Sequence, residues 1–405
     1  MKWSTVPFEH LYKIPSKNGL NRPSRVRGNG YKMINMGELF ANDRIGAIDM
    51  ERVQLNEREF ENMLVESGDL LFARQSLVLA GAGKCSIVKT IDEPITFESH
   101  LIRVRLKSEI ANPDFYRYYF KSPISPMKSI VTQGVQAGIR ASDLAKLDVH
   151  LLPITTQNKI ADILSTYDDL IENNRRRIDL LEQSARMLYK EWFVSLRFPG
   201  HEHVKVKDGV PQGWEVKKIG DCFHMPGGFS FKSGTYQSSG KYGIVTIKNV
   251  QDSKFEPKCS GYIDEVPDGL PQHCHLTTGD LLMSLTGNVG RVCIVYGENY
   301  LLNQRVAKII PQSGISKYYA YWTFTNDGLR KIIENLAYGV AQLNLSASKV
   351  QSLDWILPTH QLLDLFDNYT SGIFEEIYTL NLANEKLKEA RDLLLPRLMN
   401  GEIPV

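Results

Sequence analysis

Gly68-Asp69-Leu70-Leu71 recurs as Gly279-Asp280-Leu281-Leu282, 211 positions further along a chain of 405 residues. The same offset carries Trp3 onto Trp214 and Tyr31 onto Tyr242. Small insertions and deletions then shift the register: Gly83-Lys84 with Ile87-Val88 returns as Gly290-Arg291 with Ile294-Val295, an offset of 207. Gly134 and Pro153, 19 apart, return as Gly339 and Pro358, also 19 apart. A long helical stretch follows each proline, so the order is globular block, helix, globular block, helix. A period near 205 far exceeds the roughly 20 to 50 residues of a solenoid unit. It reads as a duplicated domain plus arm, and a two-copy molecule suits a target with two halves.

The composition, 42% hydrophobic and 23% charged, is that of an ordinary globular protein with material for two cores. Met1-Lys2-Trp3-Ser4 leads into no apolar run of signal-peptide length, and no stretch approaches the roughly 18 apolar residues of a membrane span. A cytoplasmic protein without membrane contact is expected. Five cysteines at irregular spacings, 85, 222, 259, 274 and 293, form no disulfide framework and read as reduced thiols.

Net charge is only +2, so the distribution of charge says more than its sum. No acidic residue lies between Glu9 and Glu38, while Lys13, Lys17, Arg22, Arg25, Arg27 and Lys32 fall there. The second copy has a matching gap between Asp221 and Asp252, with Lys232, Lys241 and Lys248 inside. Either gap alone reads equally as a plain surface loop. Two at one repeat position favour a surface facing a polyanion in both copies.

Alternation in Leu101-Ile102-Arg103-Val104-Arg105-Leu106, the apolar run before Arg74, Ile244-Val245-Thr246-Ile247-Lys248, and Arg305 to Ile310 read as strands. Asn112-Pro113-Asp114 reads as a helix start with an aromatic inner face of Phe115, Tyr118 and Tyr119; its counterpart holds Tyr318, Tyr319, Tyr321 and Trp322. The expected fold is α+β (α/β): two domains of mixed strands and helices, joined by two long antiparallel coiled-coil helices in a pseudo-twofold internal repeat. Boundaries fall at 1–153 and 199–358 for the domains, and at 154–198 and 359–405 for the arms and tail.

In the first arm Ile160, Ile163, Leu164, Tyr167, Leu170, Ile171, Ile178, Leu181, Ala185, Leu188 and Trp192 form an apolar stripe. Phe366, Ile373, Leu380, Leu387 and Leu394 step by seven in the second, which also holds Leu362, Tyr369, Ile377 and Ala390. Asn174 in the first seam either sets register or faces solvent. Arg175-Arg176-Arg177 reads as a solvated face in preference to a DNA contact. Arms of roughly 35 residues at 1.5 Å per residue would be about 50 Å long. Packed antiparallel, they would set two blocks about one and a half DNA turns apart, at about 34 Å per turn.

Catalytic signals fail one by one. Gly81-Ala82-Gly83-Lys84 lacks the P-loop's first glycine and its hydroxyl residue: those places hold Val78 and Cys85. Its counterpart Gly287-Asn288-Val289-Gly290-Arg291 keeps the turn and loses any nucleotide logic. Asn112-Pro113-Asp114-Phe115 is one residue away from the adenine-holding motif of amino-methyltransferases, but no glycine-rich strand-turn-helix precedes it, so a helix start is the better reading. Cys222-Phe223-His224 and His273-Cys274-His275 have no first-copy equivalent and no paired spacing, so no metal is expected. There is no Ser/His/Asp set, no HExxH and no matched carboxylate pair. The chain looks like a reader without an engine, hence no enzyme.

The ordered motifs Pro211-Gln212-Gly213-Trp214-Glu215, Ile219-Gly220-Asp221, Gly279-Asp280-Leu281-Leu282, Gly287 to Gly290, Asn303-Gln304, Leu357-Pro358 and Gln361 carry a resemblance. With Trp3, Gly68-Asp69-Leu70-Leu71, Gly83, Leu152-Pro153 and Gln157 in the first copy, the chain resembles the specificity (S) subunits of type I restriction-modification systems. The first copy departs in lacking the PxGW lead-in and in having Glu98-Ser99-His100 where the second has Asn303-Gln304. The resemblance implies two target-recognition domains, each reading half of a bipartite, asymmetric site on double-stranded DNA. It implies arms that set the spacer and dock two modification (methyltransferase) subunits. S-adenosylmethionine, and ATP with Mg on restriction subunits, would belong to those partners, with no cofactor on this chain.

Phosphate contacts are expected from Arg22, Arg25, Arg27 and Lys32 in the first copy, and from Lys232 and Lys248 in the second. Base readout needs forked or amide side chains on loops. Arg74, Gln75, Gln136 and Arg140 are the first-copy candidates; Thr286, Asn288, Gln342 and Asn344 are those of the second. The plain alternatives are a solvated charge for each cation and a turn-stabilising role for each amide. Gly134 and Gly339 are expected to serve tight turns. A rival class is a helical scaffold or adaptor binding proteins through its duplicated domains, which leaves two coincident acid-free gaps unexplained.

Overall fold

A computed structural model describes residues 3–134, 136–337 and 345–405. It divides into two compact units, Met1–Leu170 with Leu387–Val405, and Ile171–Lys386. Each unit therefore combines one globular block with a portion of both arms.

In the first unit a five-stranded sheet runs in the order Tyr12–Asn18, Leu101–Leu106, Leu70–Ala73, Cys85–Val88, Arg44–Ile45. Its second and third strands pair antiparallel, Leu101 opposite Ala73 and Val104 opposite Leu70. Leu70–Ala73 is buried throughout because it faces two cores. Leu70 and Phe72 pack with the aromatic helix Pro113–Lys121, while Leu71 and Ala73 pack with Ile34, Phe97 and Leu101. A strand covered on both faces reads as a continuous apolar run, since its side chains alternate between two dry layers. A second sheet joins Arg52–Val53, Arg27–Ile34 and Ile95–Phe97, the last two parallel. The ribbon Ser4–Pro7 with Asp148–Leu151 ties the ends of the block together.

The second unit repeats this plan without a described counterpart of Arg44–Ile45. Phe223–His224, Val306–Pro311, Leu281–Ser284 and Val292–Ile294 form the first sheet in the same order. Tyr262–Ile263, Tyr242–Val245 and Tyr300–Leu302 form the second, again with one parallel pair, and His275–Leu276 is added to it. Glu215–Lys218 and Asp354–Leu357 make the closing ribbon. The strand expected to continue to Lys248 stops at Val245. There the Asn249 carbonyl oxygen accepts from the Thr246 amide at 2.9 Å and its amide donates to the Glu256 carbonyl at 2.8 Å, turning the chain.

The founding motif has one physical form in both copies. Gly68 and Gly279 hold φ of 91° and 90°, a conformation that a side chain resists. The aspartate after each folds back: Asp69 Oδ2 accepts from the Glu66 amide at 2.7 Å, and Asp280 Oδ2 from the Thr277 amide at 2.8 Å. A cation from the neighbouring strand neutralises each, Arg105 on Asp69 and Lys308 on Asp280, both at 2.7 Å. A second repeated glycine shows no motif in the sequence. A Cβ at Gly19 would sit 2.2 Å from the Phe97 and Glu98 carbonyls, and one at Gly228 would sit 2.4 Å from those of Leu302 and Asn303.

The first arm is a helix over Ile154–Tyr189 that continues through a wide π-type turn, Lys190–Val194. The second spans His360–Met399. Within the second unit the arms run antiparallel, with Asn174 against Asn384, Arg177 against Glu376 and the Trp192 ring 5.8 Å from Phe366. In the first unit Leu395, Leu398 and Met399 enter the domain core beside Ile160, Ala161 and Leu164. Three residues expected in the buried stripes are exposed instead: Ile163, Leu170 and Tyr369, at 37%, 46% and 59%. Ile160, Ala161, Leu164 and Asp168 define a buried face from which Ile163 and Leu170 turn away by roughly 110° to 130° at about 100° per residue. Asn174 lies in the seam and pairs across it. Arg176 and Arg177 are committed to Glu172 and Glu376.

Candidate nucleic-acid interface

In the first unit the chain brings distant segments to one small sheet of three strands, Thr132–Gln133, Ala137–Gly138 and Gln75–Ser76. Gly138 pairs with Gln75, and the Ile139 amide donates to the Arg74 carbonyl at 2.9 Å. This pairing collects Arg74, Gln75, Gln136 and Arg140 around one surface. Gln136 and Arg140 are exposed, while Arg74 and Gln75 are half-buried. Among the described residues the Arg74 side chain makes one long bond, 3.4 Å to the Ser99 carbonyl. Both segments come from acid-free sequence: none lies between Asp69 and Asp92, nor between Asp114 and Asp143.

The cations of the first acid-free gap sit differently. Arg22 grips both oxygens of Glu59, at 2.6 and 2.7 Å. Arg27 bonds Glu51, the Asn35 carbonyl oxygen and the Arg22 backbone carbonyl. Lys32 reaches Glu93 at 2.9 Å and Asp92 at 3.9 Å. Carboxylates from elsewhere in the chain thus fold onto a gap that contains none of its own. Glu93, shared by Arg52 and Lys32, is drawn down to about 2 by their hydrogen bonds. Arg25, in the short helix Ser24–Val26, is exposed and has no ion-pair partner among the described residues.

In the second unit Lys232 and Lys248 are both exposed, without ion-pair partners among the described residues. Lys248 belongs to a polar chain that reaches the candidate turn. The Gln251 amide donates to the Lys248 carbonyl at 2.7 Å, and the Gln251 carbonyl oxygen accepts from Arg291 at 2.5 Å. In the orientation that satisfies both groups, the Asn288 amide oxygen accepts from the same guanidinium at 3.0 and 3.2 Å. Thr286 opens this turn with its hydroxyl buried and unpartnered among the described residues. Gln342 and Asn344, like Gly339, lie outside the described residues. The Leu345 amide donates to the Leu285 carbonyl at 2.8 Å, as Ile139 does to Arg74 in the first unit.

Sequence reasoning passed over Gln304 and Arg305. Both are exposed, and the Arg305 carbonyl accepts from the Leu285 amide at 3.0 Å, beside Thr286. His100 does the same for Arg74 at 2.7 Å. The signal was present in Asn303-Gln304-Arg305, a polar run directly before a buried strand, at the point where the first copy has Glu98-Ser99-His100.

The residues set aside as catalytic signals have structural uses. Lys84 of the glycine-rich turn donates to the Phe40 carbonyl at 2.7 Å. Asn112 caps the aromatic helix through the Phe115 amide at 3.1 Å, and Ser316 caps its counterpart through Tyr319 at 3.0 Å. All five cysteines are free thiols and four are buried; burial pushes the Cys259 thiol up to about 12. Among the described residues no group of three or more His, Cys, Asp or Glu is placed to hold a metal ion, and no helix is long and apolar enough to cross a membrane.

Buried charge anchors the first domain to its arm segments. Asp168 accepts from Arg117 and Tyr118 at 2.6 Å each on one oxygen, and from Arg391 at 2.5 Å on the other. Burial would raise its pKa, but Arg117, Tyr118 and Arg391 together hold it down at about 2. The second domain uses Tyr321, whose hydroxyl donates to Glu182 at 2.9 Å; here burial dominates and raises the carboxyl above its ordinary value.

The chain matches the family described as type I restriction modification DNA specificity domain over residues 2–183 and 211–376, one match per copy. It is 24% identical to the type I restriction enzyme HindI specificity subunit of Haemophilus influenzae, covering 84% of this chain and 87% of that protein. It is also 24% identical to the MjaIX specificity subunit of Methanocaldococcus jannaschii, covering 87% and 83%. The crystal structure of a type I restriction-modification S subunit from M. genitalium shares the fold, with a TM-score of 0.57, 17% identity, and coverage of 98% and 96%. Two copies of one scaffold, both spanned by one family's pattern, place this chain in the type I restriction-modification DNA specificity family.

Proposed function

We propose that the chain is the non-catalytic DNA-recognition subunit of a type I restriction-modification complex, each domain reading one half of a bipartite, asymmetric site in double-stranded DNA. One observation carries the reading. Four strands of the first sheet and three of the second recur in the same order, with the glycine φ values and the carboxylate-cation pair, yet the side chains at matching places differ. Arg74 and Gln75 stand where the second copy has Leu285 and Thr286, Lys84 where it has Arg291, and His100 where it has Arg305. A shared scaffold with unlike donors and acceptors selects unlike base edges. Arg25, Lys232 and Lys248, without carboxylate partners among the described residues, would meet phosphates.

The arms set the spacer and carry the modification subunits in this reading. Leu180, Met187 and Val194, seven residues apart, are 63%, 67% and 54% exposed, and Leu393 is 70% exposed. Such apolar positions on a helix otherwise held by its partner suit a protein interface. S-adenosylmethionine would bind the modification subunits, which methylate adenine; ATP and Mg would serve restriction subunits. The test is co-expression with modification subunits followed by genome-wide mapping of methylated adenines. A split motif with a fixed gap supports the reading, and unmethylated DNA with every partner from the same operon defeats it.

A further inference from the structure

Leu77, Val78 and Leu79 are 86%, 64% and 54% exposed. They are consecutive large apolar side chains at the tip of the loop that leaves strand Gln75–Ser76. A single exposed leucine is ordinary, whereas three in a row are a patch that needs a reason. The tip is also braced. Buried Ser76 accepts from the Val78 amide at 3.1 Å, Gly81 returns to the Val78 carbonyl at 3.0 Å, and Gly83 to the Ala73 carbonyl at 2.8 Å. A Cβ on Gly81 would lie 2.2 Å from Ser76 Oγ and 3.1 Å from the Phe40 ring, so the base of the loop is tightly packed.

The patch continues the candidate interface. Arg74 and Gln75 precede it on the same segment, exposed Gln133 lies on a paired strand, and exposed Gln136 directly precedes the other. Glu98 accepts from the Met36 amide at 2.5 Å, and Asp43 takes Lys121 at 2.6 Å. An apolar centre with an amide and guanidinium rim, drawn from acid-free sequence, fits the edge of a polyanion that carries its own apolar groups. DNA offers such groups in the major groove only as the thymine 5-methyl. An acidic or charged protein face would leave three aliphatic side chains against water. The matching turn of the second domain buries its one aliphatic residue, Val289, and exposes Gly287 and Asn288 instead.

We propose that the Leu77-Val78-Leu79 tip packs against thymine methyl groups in the major groove, so that the first domain reads one or more thymines of its half-site through the methyl. The proposal rests on the DNA-recognition reading. Removing one buried methyl should weaken binding about fourfold.

The test uses the assembled complex with modification subunits and a duplex carrying its mapped site. Each thymine is replaced in turn by deoxyuridine, which removes only the methyl. The expected result is an affinity loss of about fourfold at one or more thymines of a single half-site, abolished in Leu77→Ser, Val78→Ser or Leu79→Ser. Equal binding of thymine and uracil by the parent complex overturns the proposal while leaving bipartite recognition standing. Serine variants that no longer assemble with modification subunits in the absence of DNA overturn it in favour of a protein interface. A complex with no sequence preference at all overturns both readings.

Discussion

The Asn174 side-chain amide donates to the Asn384 side-chain carbonyl oxygen at 2.9 Å, a polar pair across the seam between the two arms. Asn384 is 5% exposed. Apolar packing tolerates sliding by a turn, but a buried amide left without its partner does not, so such a pair defines which turn faces which. Asn384→Leu alone should cost about 1 to 3 kcal/mol, because it strands the Asn174 amide. The double leucine variant should recover that stability and lose register. Thermal unfolding, with disulfide trapping between cysteines at 177 and 376, reads both effects; a single variant as stable as the parent would remove the pair's role.

Asp168 makes the first unit acid-sensitive. Its folded pKa of about 2 lies below the ordinary value of 3.8, so its contribution is present above 3.8 and is lost as pH falls toward 2. The shift corresponds to about 2 kcal/mol at neutral pH. Asp168→Asn strands Arg117 and Arg391 in the core and should cost roughly 3 to 5 kcal/mol. Chemical denaturation between pH 2 and 6 checks the sign. Glu182, raised by burial, runs the other way, favouring the fold below its ordinary pKa and losing that contribution as pH rises through the raised one.

Cations that look alike in the sequence should differ in salt dependence. Lys248→Ala and Lys232→Ala are expected each to lower the slope of log affinity against log salt by about 1, if each meets a phosphate. Lys32→Ala should leave the slope unchanged, since Lys32 is engaged with Glu93 at 2.9 Å. Binding isotherms on a site-bearing duplex across several salt concentrations decide it. A slope that falls for Lys32 and stays for Lys248 would reverse the assignment.

Gly228→Ala should destabilise the second unit more than Gly279→Ala. The first puts a Cβ 2.4 Å from the backbone carbonyls of Leu302 and Asn303, at the end of strand Tyr300–Leu302, so the backbone there must move. The second meets only the far end of Lys317, at 3.4 Å, and costs about 1 to 2 kcal/mol from its positive φ. Urea unfolding of the two variants gives the comparison, and equal losses would show that the strand yields.

Much of this architecture was readable because duplication writes each constraint twice. The glycine of Gly-Asp-Leu-Leu needs positive φ, and its aspartate needs the amide three residues back; residues under such local demands recur as recognisable words. Leu101–Leu106 and the aromatic helix were legible from alternation and from an Asn-Pro start. Arg305 and the Gly19 and Gly228 contacts were not, because their partners lie on strands more than 70 positions away in the case of each glycine. Arg22, Arg27 and Lys32 formed a visible basic cluster, yet Glu59, Glu51 and Glu93, which engage them, are neighbours only after the strands pair.

The sequence by itself determined the two-copy plan, the strand and helix order, the arms and the family, since these rest on periodicity and on local backbone demands that each segment carries within itself. Tertiary structure alone decided which charges remain free and which candidate readers share a surface. It joined Arg74 and Gln75 to Gln136 and Arg140 through one small sheet, placed Arg305 beside Thr286, and left Leu77 to Leu79 in solvent. Those outcomes depend on long-range pairing, where a side chain's availability is set by what folds against it.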